Sequence, residues 1–390
     1  MYKRIKLQVP EPHELKMVQK LCDIKDPYQH TNETDKIFIE AMKEIISWHY
    51  TRNTFYRSFL DNSSFNVKNL ASIEQLREIP AIHANFFKTH TIKSIPDTDI
   101  EITLTSSGTT GQKSQMYFDN WSISAGRRMV DDIYAYNNWY SAKPANYIVS
   151  NYEPVEGLLR GTANTSKYLT KYAPANEIFY LLRSTGNGKH EFDHFGALEA
   201  LSRFENAKLP VRIIGFPSFV YFVIKRLSEM NLSPLKLHPD SLVLFAGGWK
   251  GYADQQIPKA KLYEMINENL GIPIDRCRDA YGAVEHSVPY IECDHHHLHV
   301  PTWSRATIRD VYSLEVLGYN KPGFLSFTTP YITSAPAISV MMGDMAIMHP
   351  SGSCNCGKQT PWFEITGRAG ISKNKSCAVS ATELLKKENI

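Results

Sequence analysis

The chain has 390 residues, 43% of them apolar and 21% charged, and a formal net charge of +3. That length can bury a large core, enough for one big domain with an appendage. So small a charge leaves no electrostatic footprint for nucleic acid or a membrane surface, and no apolar run approaches a membrane span.

The opening residues, Met1-Tyr2-Lys3-Arg4-Ile5-Lys6-Leu7, lack the apolar core of a signal peptide, so a cytoplasmic location is expected. Cysteines stand at 22, 277, 293, 354, 356 and 377. In a reducing compartment such sparse, irregular placement reads as thiols or metal ligands rather than disulfides.

Residues 11–60 read as helical: Leu15, Val18 and Leu21 recur at helical spacing, as do Ile37, Met42, Ile45 and Ile46, ahead of the aromatic residues Trp48, Tyr50, Phe55 and Tyr56. Residues 79–88 read as an extended approach to the segment that follows. Ile100, Ile102 and Leu104 then form an extended run leading into Ser106-Ser107-Gly108-Thr109-Thr110-Gly111-Gln112-Lys113-Ser114. Glycine allows backbone conformations that turn successive N–H groups inward, and the hydroxyls add donors, so this loop suits the phosphates of a nucleotide. The GK[ST] ending of a Walker loop is missing.

Further on, the pattern predicts a helix over 121–141, a strand over 145–150, a helix over 191–206 and a strand over 211–215. A helix over 219–230, a strand over 241–248 and a helix over 255–270 follow. Strands alternating with helices imply an α/β fold with a parallel or mixed sheet and flanking helices. Ligands gather beyond the C-terminal strand ends of such sheets. From about residue 297 the texture turns to short strands, with Pro322-Gly323 read as a hairpin turn. The expected division is an α/β region at 1–296, a β-rich subdomain at 297–366 and a short appendage at 367–390.

The loop at Ser106–Gly111 resembles the phosphate loop of the adenylate-forming superfamily, which makes acyl-AMP from a carboxylic acid and ATP. The usual loop continues with Pro-Lys; here Gln112-Lys113-Ser114 follows, with the lysine displaced by one position. That variant is most similar to the LuxE-like acyl-protein synthetases of bacterial luciferase operons, with phenylacetate–CoA ligases as cousins. The resemblance spans about residues 79–380. It implies the adenylate-forming large-domain fold, with Ser106, Ser107, Gly108, Thr109, Thr110, Gly111 and Lys113 around the phosphates.

Other motifs appear in the family's order. Gly247-Gly248 either lies against the adenine or is only a tight β–α turn. Asp279-Ala280-Tyr281-Gly282-Ala283-Val284-Glu285 resembles the family's Tyr-Gly-x-Thr-Glu motif, with Val284 at the threonine position. The resemblance implies that Tyr281 and Gly282 flank the adenine and that Glu285 reaches Mg2+, a hard ion suited to a carboxylate. Gly343-Asp344 resembles the aspartate that accepts hydrogen bonds from the ribose diol. Gly367-Arg368 matches the family's hinge, whose arginine contacts ribose or phosphate.

Only 22 residues follow Arg368 in the 390-residue chain, so the mobile lysine domain of full-length acyl-CoA synthetases is expected to be truncated. The luciferase-operon enzymes also stop early, and in them a cysteine near the C-terminus takes the acyl group. Cys377 sits at the matching place between lysines 373 and 375 and alanine 378, where positive charge favours the nucleophilic thiolate. The acyl group would then pass to a reductase, an acyl-carrier protein or CoA. Two alternatives stay open: a direct acyl- or aryl-CoA ligase in which Cys377 is passive, and a non-catalytic nucleotide-binding subunit.

Cys293, His299, Cys354 and Cys356 offer three sulfurs and a nitrogen, a set able to close a tetrahedral Zn2+ site of structural type. Their alternative is buried, unligated thiols. His286, beside Glu285, either orients the substrate carboxylate or is a satisfied structural histidine. The aromatic run after Gly215 (Phe216, Phe219, Tyr221, Phe222) either lines an acyl pocket or begins a buried helix.

Overall fold

A computed structural model describes residues 3–105, 115–155, 166, 168–249 and 251–368. Contacts divide them into two compact units, one built mainly from Ile133–Gly282 and Pro289–His296, the other from Arg4–Asp132, Ala283–Val288 and the chain from His297 onward.

The first unit is wound on a seven-stranded sheet. From one edge its strands are Tyr290–Ile291, Cys277–Tyr281, Leu242–Ala246, Val211–Gly215, Ala145–Tyr152, Ala175–Gly186 and Lys189–Phe192. The five inner strands run parallel, and the two edge strands are antiparallel to their neighbours. Helices His194–Ala207, Pro217–Glu229 and Lys259–Leu270 cross between strands, as parallel pairing requires. Their buried faces, including Leu201, Phe204, Val223, Ile224 and Ile266, pack on Ile148, Ile213 and Val243. Pro217 starts its helix at the first turn, and Gly271 ends the third with a left-handed φ of 70°.

The second unit carries another seven-stranded sheet, ordered Leu298–His299, Trp362–Arg368, Ser339–His349, Pro322–Thr328, Arg305–Arg309 and Val316–Leu317, with Ile82–His83 parallel to Ser339–His349. Helix Asn32–Arg52 begins with a Thr31–Thr34 capping box and buries ten of its 21 residues. Trp48 donates through Nε1 to the Thr333 carbonyl at 2.9 Å. His49 donates through Nε2 to the Ile332 carbonyl at 2.9 Å and accepts at Nδ1 from the Ser94 hydroxyl at 2.7 Å. Burial lowers that imidazole to about 3, so it packs as a neutral ring with both nitrogens satisfied.

Most predicted helices and strands are present with shifted boundaries, but residues 79–88, read as extended, hold the short strand Ile82–His83 and then a helical turn, Phe86–Thr89. The helical stretch over 11–60 is three helices, Lys16–Asp23, Asn32–Arg52 and Thr54–Asp61. The 121–141 helix is Asn120–Tyr136, and Asn138 just beyond it has a φ of 56°. The 255–270 helix begins only at Lys259, after Pro258. Pro322-Gly323 is not a turn: it opens the strand Pro322–Thr328, and the left-handed residue is Asn320. A Cβ at Gly323 would stand 2.3 Å from the Arg309 carbonyl oxygen, so glycine here serves close strand approach. The hairpin Ala175–Gly186 and Lys189–Phe192 has no counterpart in the predicted elements. Its signal was Asn187-Gly188, with φ of 49° and 70°, the residue pair preferred in a tight hairpin turn.

Candidate active site and metal centre

In the first unit, register places Ala246 beside Ala280 on adjacent parallel strands. Gly247-Gly248 and Tyr281-Gly282 therefore leave the sheet at the same C-terminal edge, where open α/β sheets bind ligands. Gly247 and Gly248 have φ of 85° and 68°, a left-handed pair that side chains disfavour. The Tyr281 ring packs against Tyr290 on the antiparallel edge strand, with centroids 6.2 Å apart.

A buried carboxylate supports that strand end. Glu292 accepts from the Asp279 N–H at 2.8 Å and from the Tyr263 hydroxyl at 3.0 Å, and it pairs with Lys259. Burial, then the Glu292 charge, raises the Asp279 carboxyl to about 7, while Lys259 and the Ala280 N–H act the other way. The folded chain thus holds this proton more tightly than the unfolded chain. The consequence is a stability that falls as pH rises from the ordinary carboxylate range to about 7 and is level above it. Asp279→Asn should flatten that part of the profile, measured as urea midpoints at a series of pH values. A variant profile parallel to the unsubstituted one would refute the assignment.

In the second unit, Asp344 and Arg368 face one another on the antiparallel strands Ser339–His349 and Trp362–Arg368. Arg368 Nε lies 3.2 Å from Asp344 Oδ1, with side chains 49% and 14% exposed. Sequence reading treated the two as separate motifs; the hairpin makes them a pair. Glu285 is buried on Ala283–Val288. His286 beside it stacks on Phe327 at 4.4 Å, and Ser304 Oγ lies 3.3 Å from its Nε2. Burial drives its pKa down to about 3, so the ring is neutral near neutral pH. Burial also pushes the Cys22 and Cys277 thiols up to about 12, leaving both un-ionised near neutral pH.

The phosphate-loop residues Ser106, Ser107, Gly108, Thr109, Thr110, Gly111 and Lys113 lie outside the described residues, as does Cys377. The stem of that loop is described: Ile102–Thr105 pairs antiparallel with Gln115–Phe118, Thr105 opposite Gln115.

Within the second unit, the ligand atoms of His299, Cys354 and Cys356 lie within 4.8 Å of one another, and Cys293 is carried by the first unit. Zn–S and Zn–N bonds of roughly 2.0–2.3 Å put tetrahedral ligand atoms about 3.5–3.8 Å apart, so modest contraction would close the set on an ion. His299 is oriented for it. Its Nδ1 donates to the Thr360 carbonyl at 3.0 Å, which fixes the tautomer and leaves the Nε2 lone pair directed at Cys356 Sγ, 3.2 Å away. Thr360 was invisible to sequence reading because it acts through its backbone. His297 sits with Nδ1 3.2 Å from Cys354 Sγ.

Two sheet-based units with flanking helices define the class. The fold is that of the adenylate-forming ligases. The crystal structure of an open conformation of 2-hydroxyisobutyryl-CoA ligase, in complex with 2-HIB-AMP and CoA, matches with a TM-score of 0.63 at 15% identity, over 94% of this chain and 81% of that one. The same ligase in its thioesterification state matches with a TM-score of 0.64 at 16% identity, over 94% and 73%.

Sequence similarity is narrower. The chain belongs to the LuxE family of acyl-protein synthetases, a family of ligases whose pattern matches residues 16–386. It is 26% identical over 362 residues to the long-chain-fatty-acid–luciferin-component ligase of Aliivibrio fischeri, covering 91% of this chain and 90% of the relative. The ligase of that name from Vibrio harveyi is 24% identical over 361 residues, covering 92% and 90%. Among the described residues no helix is long and apolar enough to cross a membrane.

Proposed function

We propose that this chain activates a fatty or other carboxylic acid with ATP and then carries the acyl group as a thioester on Cys377. In the first step a carboxylate oxygen attacks the α-phosphorus in line. The bond to the β,γ-diphosphate breaks, giving acyl-AMP and pyrophosphate. In the second, the Cys377 thiolate attacks the acyl carbon, a C–S bond forms, and AMP leaves with its phosphate. A reductase, an acyl-carrier protein or CoA would accept the acyl group next, in the cytoplasm.

The pairing of Asp344 with Arg368 carries this reading, in a family of acyl-protein synthetases. Asp344 would accept hydrogen bonds from both ribose hydroxyls, and its ion pair would orient Arg368 toward the acyl-phosphate anion. Gly247, Gly248, Tyr281 and Gly282 would flank the adenine, and Ser106–Gly111 with Lys113 would hold the phosphates. Glu285 would hold Mg2+, which when bound neutralises triphosphate charge. Most of the rate would come from positioning and charge compensation. Cys293, His299, Cys354 and Cys356 would hold Zn2+ in a closed, structural set.

ATP–pyrophosphate exchange over a panel of carboxylic acids of increasing chain length tests the first step. Exchange dependent on a particular acid is expected. Its absence with every acid, with candidate partner proteins present too, would overturn the proposal.

A further inference from the structure

We infer that the Cys/His centre sets the register of the hairpin that brings Arg368 to Asp344, so that losing the metal weakens nucleotide binding at the hairpin's other end. The link to nucleotide rests on the role proposed above for Asp344 and Arg368.

Strands Ser339–His349 and Trp362–Arg368 are the two arms, and residues 350–361 close them. Cys354 and Cys356 lie in that closing segment. His299 lies on the neighbouring strand, paired with Trp362. At the closed end His349 faces Trp362; at the open end Asp344 faces Arg368. From Asp344 to His349 is five steps, whereas from Arg368 back to Trp362 is six. The difference is a bulge opposite Met345 and Ala346. Side chains alternate faces along a strand, so slipping that bulge by one residue would turn Arg368 to the opposite face from Asp344. Something must hold the count.

The closed end is where it is held. The Trp362 ring is stacked between His297 at 3.7 Å and His349 at 3.8 Å, and its Nε1 donates to Ser353 Oγ at 2.8 Å. His297 reaches Cys354, and His349 pairs with Glu364 one turn of the pleat further on. Thr360, two residues before Trp362, orients His299. Ligands, stacked rings and strand start form one connected network. The closing segment contains no helix or strand of its own, and a long irregular closure pays in chain entropy unless it is cross-linked. Three ligands within the second unit supply that cross-link: His299 from a strand, and Cys354 and Cys356 from the closure. Trp362 and His297 are positioning residues for the pair at the far end.

Zn2+ content, amide hydrogen exchange and ATP affinity of the full chain, before and after chelation, test this. Chelation is expected to speed exchange across 362–368 and weaken ATP binding by at least tenfold in calorimetry. Exchange in the first unit's helix His194–Ala207 should be unaffected, and Zn2+ should restore both properties. Trp362→Leu keeps every ligand. It should retain Zn2+ while reproducing part of the exchange and affinity change. Protein prepared in Zn2+ that binds none, or metal-free protein with unchanged exchange across 362–368, would overturn the inference. So would loss of protection throughout both units, which would make the centre a general scaffold. If the metal-loaded protein binds no ATP, the nucleotide role fails, while the exchange arm still decides the register.

Discussion

Cys377→Ser is expected to abolish covalent labelling of the protein by radioactive fatty acid while leaving ATP–pyrophosphate exchange running. Exchange needs only the first step, the reversible formation of acyl-AMP. Labelling needs a nucleophile that is ionised enough to attack the acyl carbon. A thiol near pKa 8.5 supplies some thiolate at neutral pH, and neighbouring Lys373 and Lys375 would increase it, whereas a serine hydroxyl supplies almost none. The buried thiols of Cys22 and Cys277 cannot stand in, since both are held up at about 12. Intact-protein mass spectrometry after incubation with ATP and acid is the readout. A mass shift that persists in the serine variant, or maps to another residue, would remove Cys377 from the acceptor role. Acyl-CoA formation unimpaired by the substitution would favour a direct CoA ligase instead.

Asp344→Ala should raise KM for ATP, or lower kcat/KM for ATP, by a factor on the order of 10² or more. Each hydrogen bond to a charged group contributes about 1.5–3 kcal/mol, and two are removed with the carboxylate. At about 1.4 kcal/mol per tenfold, the loss exceeds two decades even at the lower end. Arg368 loses the partner 3.2 Å from its Nε at the same time. Asp344→Asn, which keeps one acceptor oxygen, should fall between the two. The KM for the acid should move much less than the KM for ATP. The reverse split, with the acid affected and ATP not, would place Asp344 at the acyl side and break the ribose assignment.

Much of this site could be read from spacing. The Ser/Thr/Gly loop, Gly247-Gly248, Tyr281-Gly282, Asp344 and Arg368 occur in one order, and the family they point to is the one whose pattern matches residues 16–386. The Cys354-x-Cys356 pair stood out because few other uses bring two thiols so close in sequence. Where reading failed, the cause was local. Pro322-Gly323 has the composition of a turn, but a neighbouring strand's carbonyl needs the missing side chain more than the chain needs a bend. The Ala175–Gly186 strand mixes buried Phe179, Leu181 and Leu182 with exposed Asn176 and Ile178, so neither periodicity stands out.

Residue types, their order and their short-range spacing were enough to declare the α/β class, the nucleotide-type motifs and the sulfur-rich ligand set, since these depend on chemistry carried by each side chain. Three things required the folded chain. Asp344 meets Arg368 only because a bulge offsets two strands by one residue. His299 offers Nε2 only because a backbone carbonyl takes its other nitrogen. Asp279 keeps its proton toward neutrality because the fold buries it and, second, because Glu292, thirteen positions along the chain, brings its charge close. Each is a matter of register and burial, which arise from distant segments packing together and leave no mark in local composition.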